Sequence, residues 1–165
     1  MTTLRDINTM PLAAFVQAFG DVAEHSPWVA EAAWHLRPFA SRADVIAAFE
    51  KTMRAAPEAA RLALIRAHPD LATKAKLTED STSEQAGAGL DRLTPDEFAR
   101  FTKLNDAYKA RFGFPFIFAV KGATKEQILQ AFETRIENNP AAEFEMALTQ
   151  IARIFRFRLE DRVSA

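Results

Sequence analysis

Along most of this chain apolar residues recur every three or four positions, the period of a helix with one buried face. The clearest run is TPDEFARFTKLNDAYKARFG, residues 94–113, where Phe98, Phe101, Leu104 and Tyr108 form the stripe. Thr94 stands where an N-cap belongs, and Gly113 where the helix must stop. PAAEFEMALTQIARIFRFRLEDRV closes the chain with a stripe through Phe144, Ala147, Ile151, Ile154 and Phe155. Earlier helices are predicted from Pro11 to Gly20, over PWVAEAAWHLRPF with Ser26 as cap, from Ser41, and from Pro57 to His68, where Pro69 enforces an end. STSEQAG has the Ser-x-x-Glu form of a capping box, Ser81 with Glu84, and TKEQILQAFETRIEN supplies one more helix. The pattern predicts an all-α fold, a single domain over 1–165 built as an irregular bundle of about eight helices.

One stretch resists this period. FGFPFIFAVKG, residues 112–122, carries Phe112, Phe114, Phe116 and Phe118 with Gly113 and Pro115 between them. Gly and Pro together exclude a helix interior, and Pro is rare in a core strand. A short extended segment near 114–120 is the expectation. Four of the five glycines lie in this stretch and in EQAGAGLD. Helix ends and turns explain that placement, and so does close approach of backbone to a ligand.

Composition narrows the function. Hydrophobic residues at 48% and charged ones at 26% are ordinary for a globular domain. A net charge of −1 argues against broad attraction to nucleic acid or to an anionic membrane. No segment approaches about 18 uninterrupted apolar residues, so no membrane span is expected. The chain has no cysteine, which removes disulfides, thiol nucleophiles and thiolate metal sites. The absence of cysteine suits a reducing cytoplasm, where the protein is expected; MTTLRDINTM carries no signal-peptide apolar run and RVSA is no recognisable peroxisomal address. No His-x-x-x-His, His-Glu-x-x-His, phosphate-binding glycine loop or Gly-x-Ser-x-Gly occurs, and no metal site is expected.

Three side chains remain as candidates for chemistry. His25 reads as solvated surface and His35 as a packing residue. His68 ends a helix whose last carbonyls lack partners, where the dipole favours an imidazolium and raises the pKa. It is either a proton donor facing a cleft or a simple C-terminal cap. Glu84 is either the carboxylate of the capping box or a group at an anion-binding helix start. Arg158 lies four residues after Ile154 and seven after Ile151, so it points along an apolar stripe. Directed at the core it needs an anion, from a side chain or a ligand; at the rim it snorkels. Arg153 and Arg156 face the other way. Arg162 projects like Arg158, in a last turn expected to fray.

RPF at 37–39, HPDLA at 68–72, STSEQAGAGLD at 81–91, LNDAYKARFGFPFIFAVKG at 104–122 and RFRLEDRV at 156–163 occur in this order. In that combination the chain resembles the 2-oxo-4-hydroxy-4-carboxy-5-ureidoimidazoline (OHCU) decarboxylase family, from about residue 7 to 163. The resemblance implies an all-α, cofactor-free enzyme that converts a small ureidoimidazoline to (S)-allantoin, the last step from urate. It implies a homodimer. It assigns His68, Glu84 and Arg158 to catalysis, and Pro69, Ser81, Thr82, Ser83, Glu84, Gln85, Phe116, Ile117, Phe118, Ala119 and Val120 to substrate. The backbone of Phe116–Val120 would then offer free amide donors and acceptors to a flat heterocycle. Glu84 would orient His68 or destabilise the substrate carboxylate. Arg162 departs from the family pattern, which has an apolar residue there. Two other readings stand beside this one: a non-catalytic helical interaction module, and a decarboxylase of a related ureido-acid.

Overall fold

Pro11 and Gly20 bracket the second helix of this protein, not the first. The computed structural model describes residues 1–73 and 77–165, and among them it has nine α-helices and no strand. The additional one is α1 (Leu4–Thr9), capped by Thr3, whose hydroxyl accepts from Asp6 N. One buried side chain, Ile7, is all it gives to the core. Six residues with a single apolar anchor leave no period to read. What holds α1 is tertiary: the Arg37 guanidinium donates to Ile7 O, Asn8 O and Met10 O, covering the carbonyls of its last turn.

The chain divides into two compact units. The first holds residues 1–67 and 152–165. It contains α1, α2 (Leu12–Phe19), α3 (Trp28–Trp34), α4 (Arg42–Ala55), α5 (Glu58–Ala67) and the end of α9 (Pro140–Arg162). Phe15, Phe19, Phe49 and Phe155 form its aromatic centre, with ring centroids 5.1–6.2 Å apart. Thr2 and Val163 form a parallel bridge, and Ser164 N donates to Thr2 O at 2.9 Å. That bridge, with Arg162 donating to Ala18 O and paired with Asp21, holds the last turn where fraying was expected.

One cap differs from the sequence reading in this unit. Ser26 does not cap α3; its hydroxyl donates to Glu24 O, and Pro27 occupies the cap position. The helix ends at Trp34, and His35 beyond it is exposed against the edge of Trp34 instead of packed. Ser41 does cap α4, its hydroxyl accepting from Asp44 N.

The second unit holds residues 68–151: α6 (Glu79–Gly87), α7 (Pro95–Phe112), α8 (Lys125–Arg135) and the first half of α9. Thr94 and Glu97 make a reciprocal capping box on α7, and Gly113 ends it at φ 78°, a left-handed conformation that favours glycine. The buried stripe of α7 runs through Phe101, Asn105 and Tyr108, with an amide where Leu104 was expected. Tyr108 stands edge-on to Phe114, Phe116 and Phe132, and Phe116 stacks on Phe132 at 3.9 Å. Residues 115–120 form neither helix nor strand. Their rings explain the density of phenylalanine: Phe114 and Phe116 are buried, while Phe118 is half-buried and stacked on Phe116 at 6.1 Å.

Candidate active site

Loop 68–72 follows directly on α5. His68 is buried, at 8% exposure, and Pro69 and Asp70 are half-buried. Ala72 sits at φ 58°, unusual for a residue with a Cβ. The peptide between Leu71 and Ala72 is gripped at both ends. Gln85 Oε1 accepts from Ala72 N at 3.0 Å, and Asn105 Nδ2 donates to Leu71 O at 2.9 Å. On the surface Lys109 pairs with Asp70 at 2.6 Å.

Gln85 belongs to α6, whose start differs from expectation. Thr78 is the cap, its hydroxyl accepting from Ser81 N, and Glu79 and Asp80 fill the first turn. The Ser81–Glu84 capping box is therefore overturned: Ser81 sits inside the helix. Two acidic residues in the first turn suit the helix dipole and set the start three residues earlier. The consequence is a register. Ser81 and Gln85, four apart, are buried on one face; Glu84 is half-buried; Thr82 and Ser83 are exposed. Thr82 and Gln85 line a cleft with Ala72, Leu77 and Leu90.

The segment Phe116–Val120 is fixed by its backbone. Arg135 Nη1 donates to Ile117 O at 2.6 Å, and Gln150 Oε1 accepts from Ala119 N at 3.0 Å. These two groups are thus committed to protein, against the expectation that the whole segment leaves its amides free. Behind them lies a closed polar network. Arg135 Nε donates to Glu143 Oε1 at 2.6 Å, Tyr108 donates to the same oxygen at 2.6 Å, and Asn138 donates to Glu143 Oε2 at 3.1 Å. The Arg135 guanidinium also lies over the Phe116 ring, 4.3 Å from its centroid. Burial pushes the Tyr108 phenol far above its ordinary range, and the Glu143 carboxylate adds to the shift.

Arg158 belongs to the first unit. It is 4% exposed, so the inward direction holds and the rim position does not. Its Nη2 pairs with Glu24 Oε1 at 2.8 Å and its Nη1 donates to Val22 O at 3.1 Å. Glu24 is itself buried at 1% exposure. Of the two anions considered for Arg158, this structure supplies the side-chain carboxylate.

Sequence reasoning missed Glu24, Asn105, Arg135, Glu143 and Gln150. Four of them had a signal. Asn105 is four residues after Phe101, Arg135 is three after Phe132, Glu143 is four before Ala147 and Gln150 is four before Ile154, each on a stripe that is otherwise apolar. Glu24 lies in a turn outside any period. Among the described residues no group of His, Asp and Glu is arranged to hold a metal ion, and no helix is long and apolar enough to cross a membrane.

The sequence model of the OHCU decarboxylase family matches residues 8–160. The chain belongs to that family. It is 44% identical over 159 residues to the 2-oxo-4-hydroxy-4-carboxy-5-ureidoimidazoline decarboxylase of Halalkalicoccus jeotgali, a match covering 96% of this chain and 90% of that protein. It is 43% identical to the uric acid degradation bifunctional protein PucL of Bacillus subtilis, covering 99% of this chain and 33% of that one. Among solved structures, (S)-allantoin synthase superposes with a TM-score of 0.83 at 32% identity, over 99% of this chain and 54% of that chain.

Proposed function

We propose that this chain catalyses cofactor-independent decarboxylation of OHCU to (S)-allantoin, and that it acts as one functional domain, since the family match crosses both units. One observation carries the site reading. Gln85, from the STSEQAG segment, hydrogen-bonds the backbone of the HPDLA loop that presents His68. Two separate motifs are thereby joined at Ala72, in the loop that begins with the histidine proposed to move the proton.

The chemistry asks little of the protein. The bond from the ring carbon to the carboxylate breaks, carbon dioxide leaves, and the electron pair stays on the ring. Conjugation spreads that charge, so no external electron sink is required. A proton then adds to one face of that carbon, which sets the configuration of the product. His68 supplies this proton. Glu84 provides the carboxylate of the site. Ser81 and Gln85, on the buried face of α6, with Pro69, Thr82 and Ser83, hold the polar substrate. The Phe116–Val120 backbone receives the heterocycle through groups other than Ile117 O and Ala119 N, which Arg135 and Gln150 already engage. Arg158 keeps its proposed share through directed N–H groups, because Glu24 already balances its charge.

Decay of freshly generated OHCU, made by uricase and hydroxyisourate hydrolase, tests this directly. Acceleration by the chain that His68→Asn abolishes supports it; a rate equal to the spontaneous one favours the interaction module. A purified chain that decarboxylates another ureido-acid faster than OHCU favours the related-substrate reading. The proposal includes a homodimer, as the resemblance implies, and a cytoplasmic location, which the cysteine-free composition suits; sedimentation at the mass of one chain would overturn the dimer.

A further inference from the structure

Asn105 occupies a place that packing alone would give to an apolar residue. It lies between Phe101 and Tyr108 on the buried stripe of α7, at 6% exposure. Its Oδ1 is buried with no hydrogen-bond partner among the described residues. A buried acceptor left unmet is unfavourable, so the side chain is poorly explained as core filling. The bond its amide does make is Nδ2 to Leu71 O, at 2.9 Å. The N–H of that same peptide unit goes to Gln85 Oε1 at 3.0 Å. The Leu71–Ala72 peptide is therefore held by two helices, α7 through its carbonyl and α6 through its N–H.

That grip acts on a turn that would otherwise relax. Ala72 at φ 58° adopts a conformation that a residue with a Cβ seldom takes without constraint. Rotating the Leu71–Ala72 peptide away from this geometry would break both hydrogen bonds together. Upstream, the chain passes through Asp70 and Pro69, the latter fixed in φ by its ring, to His68. Little freedom is left to absorb a change at residue 72 before it reaches the histidine. Lys109, one helical turn beyond Asn105, adds an exposed pair with Asp70, worth little beside the two buried bonds.

We propose that Asn105 is a positioning residue for the decarboxylation: by fixing the Leu71–Ala72 peptide it sets where the His68 imidazole stands. This rests on the reading that His68 carries the proton. Asn105 touches no reacting atom in this account.

The test is a double-mutant cycle on OHCU decay, with folding checked by thermal melting. Asn105→Asp keeps the shape but replaces the donor by a group that repels Leu71 O. The folded variant should lose about ten- to a hundredfold in kcat with KM nearly unchanged, as expected for a misplaced catalytic group. In the His68→Asn background the same substitution should add no further loss, because its effect passes through the imidazole. Wild-type kcat in folded Asn105→Asp, or losses that add, would overturn the proposal. Asn105→Ser, which brings no charge into the core, replaces it in the cycle if the aspartate variant does not fold. If neither folds, Asn105 is structural and the proposal falls. Retained activity in His68→Asn alone would remove the histidine reading instead, a result distinct from wild-type kcat at position 105.

Discussion

The Tyr108 hydroxyl donates to Glu143 Oε1 at 2.6 Å, and both side chains are fully buried. Tyr108 is the single tyrosine of the chain, so its ionisation can be followed without interference. Its phenol is raised from the ordinary value of 10.0 by burial first and by Glu143 second. A raised folded value means that the proton is held more tightly in the folded protein than in the unfolded one. The associated stability is complete below about pH 10 and is lost as pH climbs from there toward the folded value. Tyrosinate absorbance should therefore appear only as the protein unfolds. A tyrosinate signal near pH 10 in a folded sample would contradict the network. Tyr108→Phe should cost about 1–3 kcal/mol in a denaturant melt, the usual range for a buried hydrogen bond to a charged group.

His68→Asn should lower turnover by about a hundredfold or more, the scale of general acid catalysis, with the melting temperature nearly unchanged. His68 follows α5 instead of lying within it, so asparagine disturbs no helical packing. Near-wild-type turnover in the folded variant would take the proton-donor role from His68.

Arg158→Lys should lower kcat/KM by about tenfold or more, corresponding to about 1–3 kcal/mol of charge-assisted hydrogen bonding. Lysine keeps the charge for Glu24 but not the fork that also reaches Val22 O. A fall in stability is now expected as well, since both contacts are buried. Glu24→Ala should be harsher, about 3–5 kcal/mol, because it leaves a buried guanidinium without its carboxylate. Unchanged kcat/KM in folded Arg158→Lys would confine Arg158 to a structural pair with Glu24.

The helices were legible because their signals are local. Thr94, Ser41 and Gly113 act through atoms within one turn of themselves, and each does what the sequence predicts. Ser81 with Glu84 failed because a second start, Thr78 followed by two acidic residues, lay just upstream and won. α1 was hidden because its carbonyls are met by Arg37, about thirty positions away. At the candidate site, His68 and Gln85 could be named one by one, but not their connection through Ala72 N. The direction of Arg158 was readable from Ile151 and Ile154; its partner Glu24 was not, because a turn residue has no period. Asn105 shows a general sign, a polar residue in register with an apolar stripe.

Prolonged treatment with a strong chelator should leave the rate of OHCU decay unchanged, because the ring itself accepts the charge left by carbon dioxide. Loss of activity that one added metal restores would place a metal in the reaction.

Circular dichroism of the reaction mixture as OHCU is consumed tests most directly whether this chain makes (S)-allantoin. Spontaneous decay gives a racemic product, whereas proton delivery to one face by a fixed His68 gives one enantiomer. A growing signal of the sign of (S)-allantoin is expected, at a rate proportional to the amount of chain added. Accelerated consumption with no final optical activity, or with the opposite sign, would contradict it.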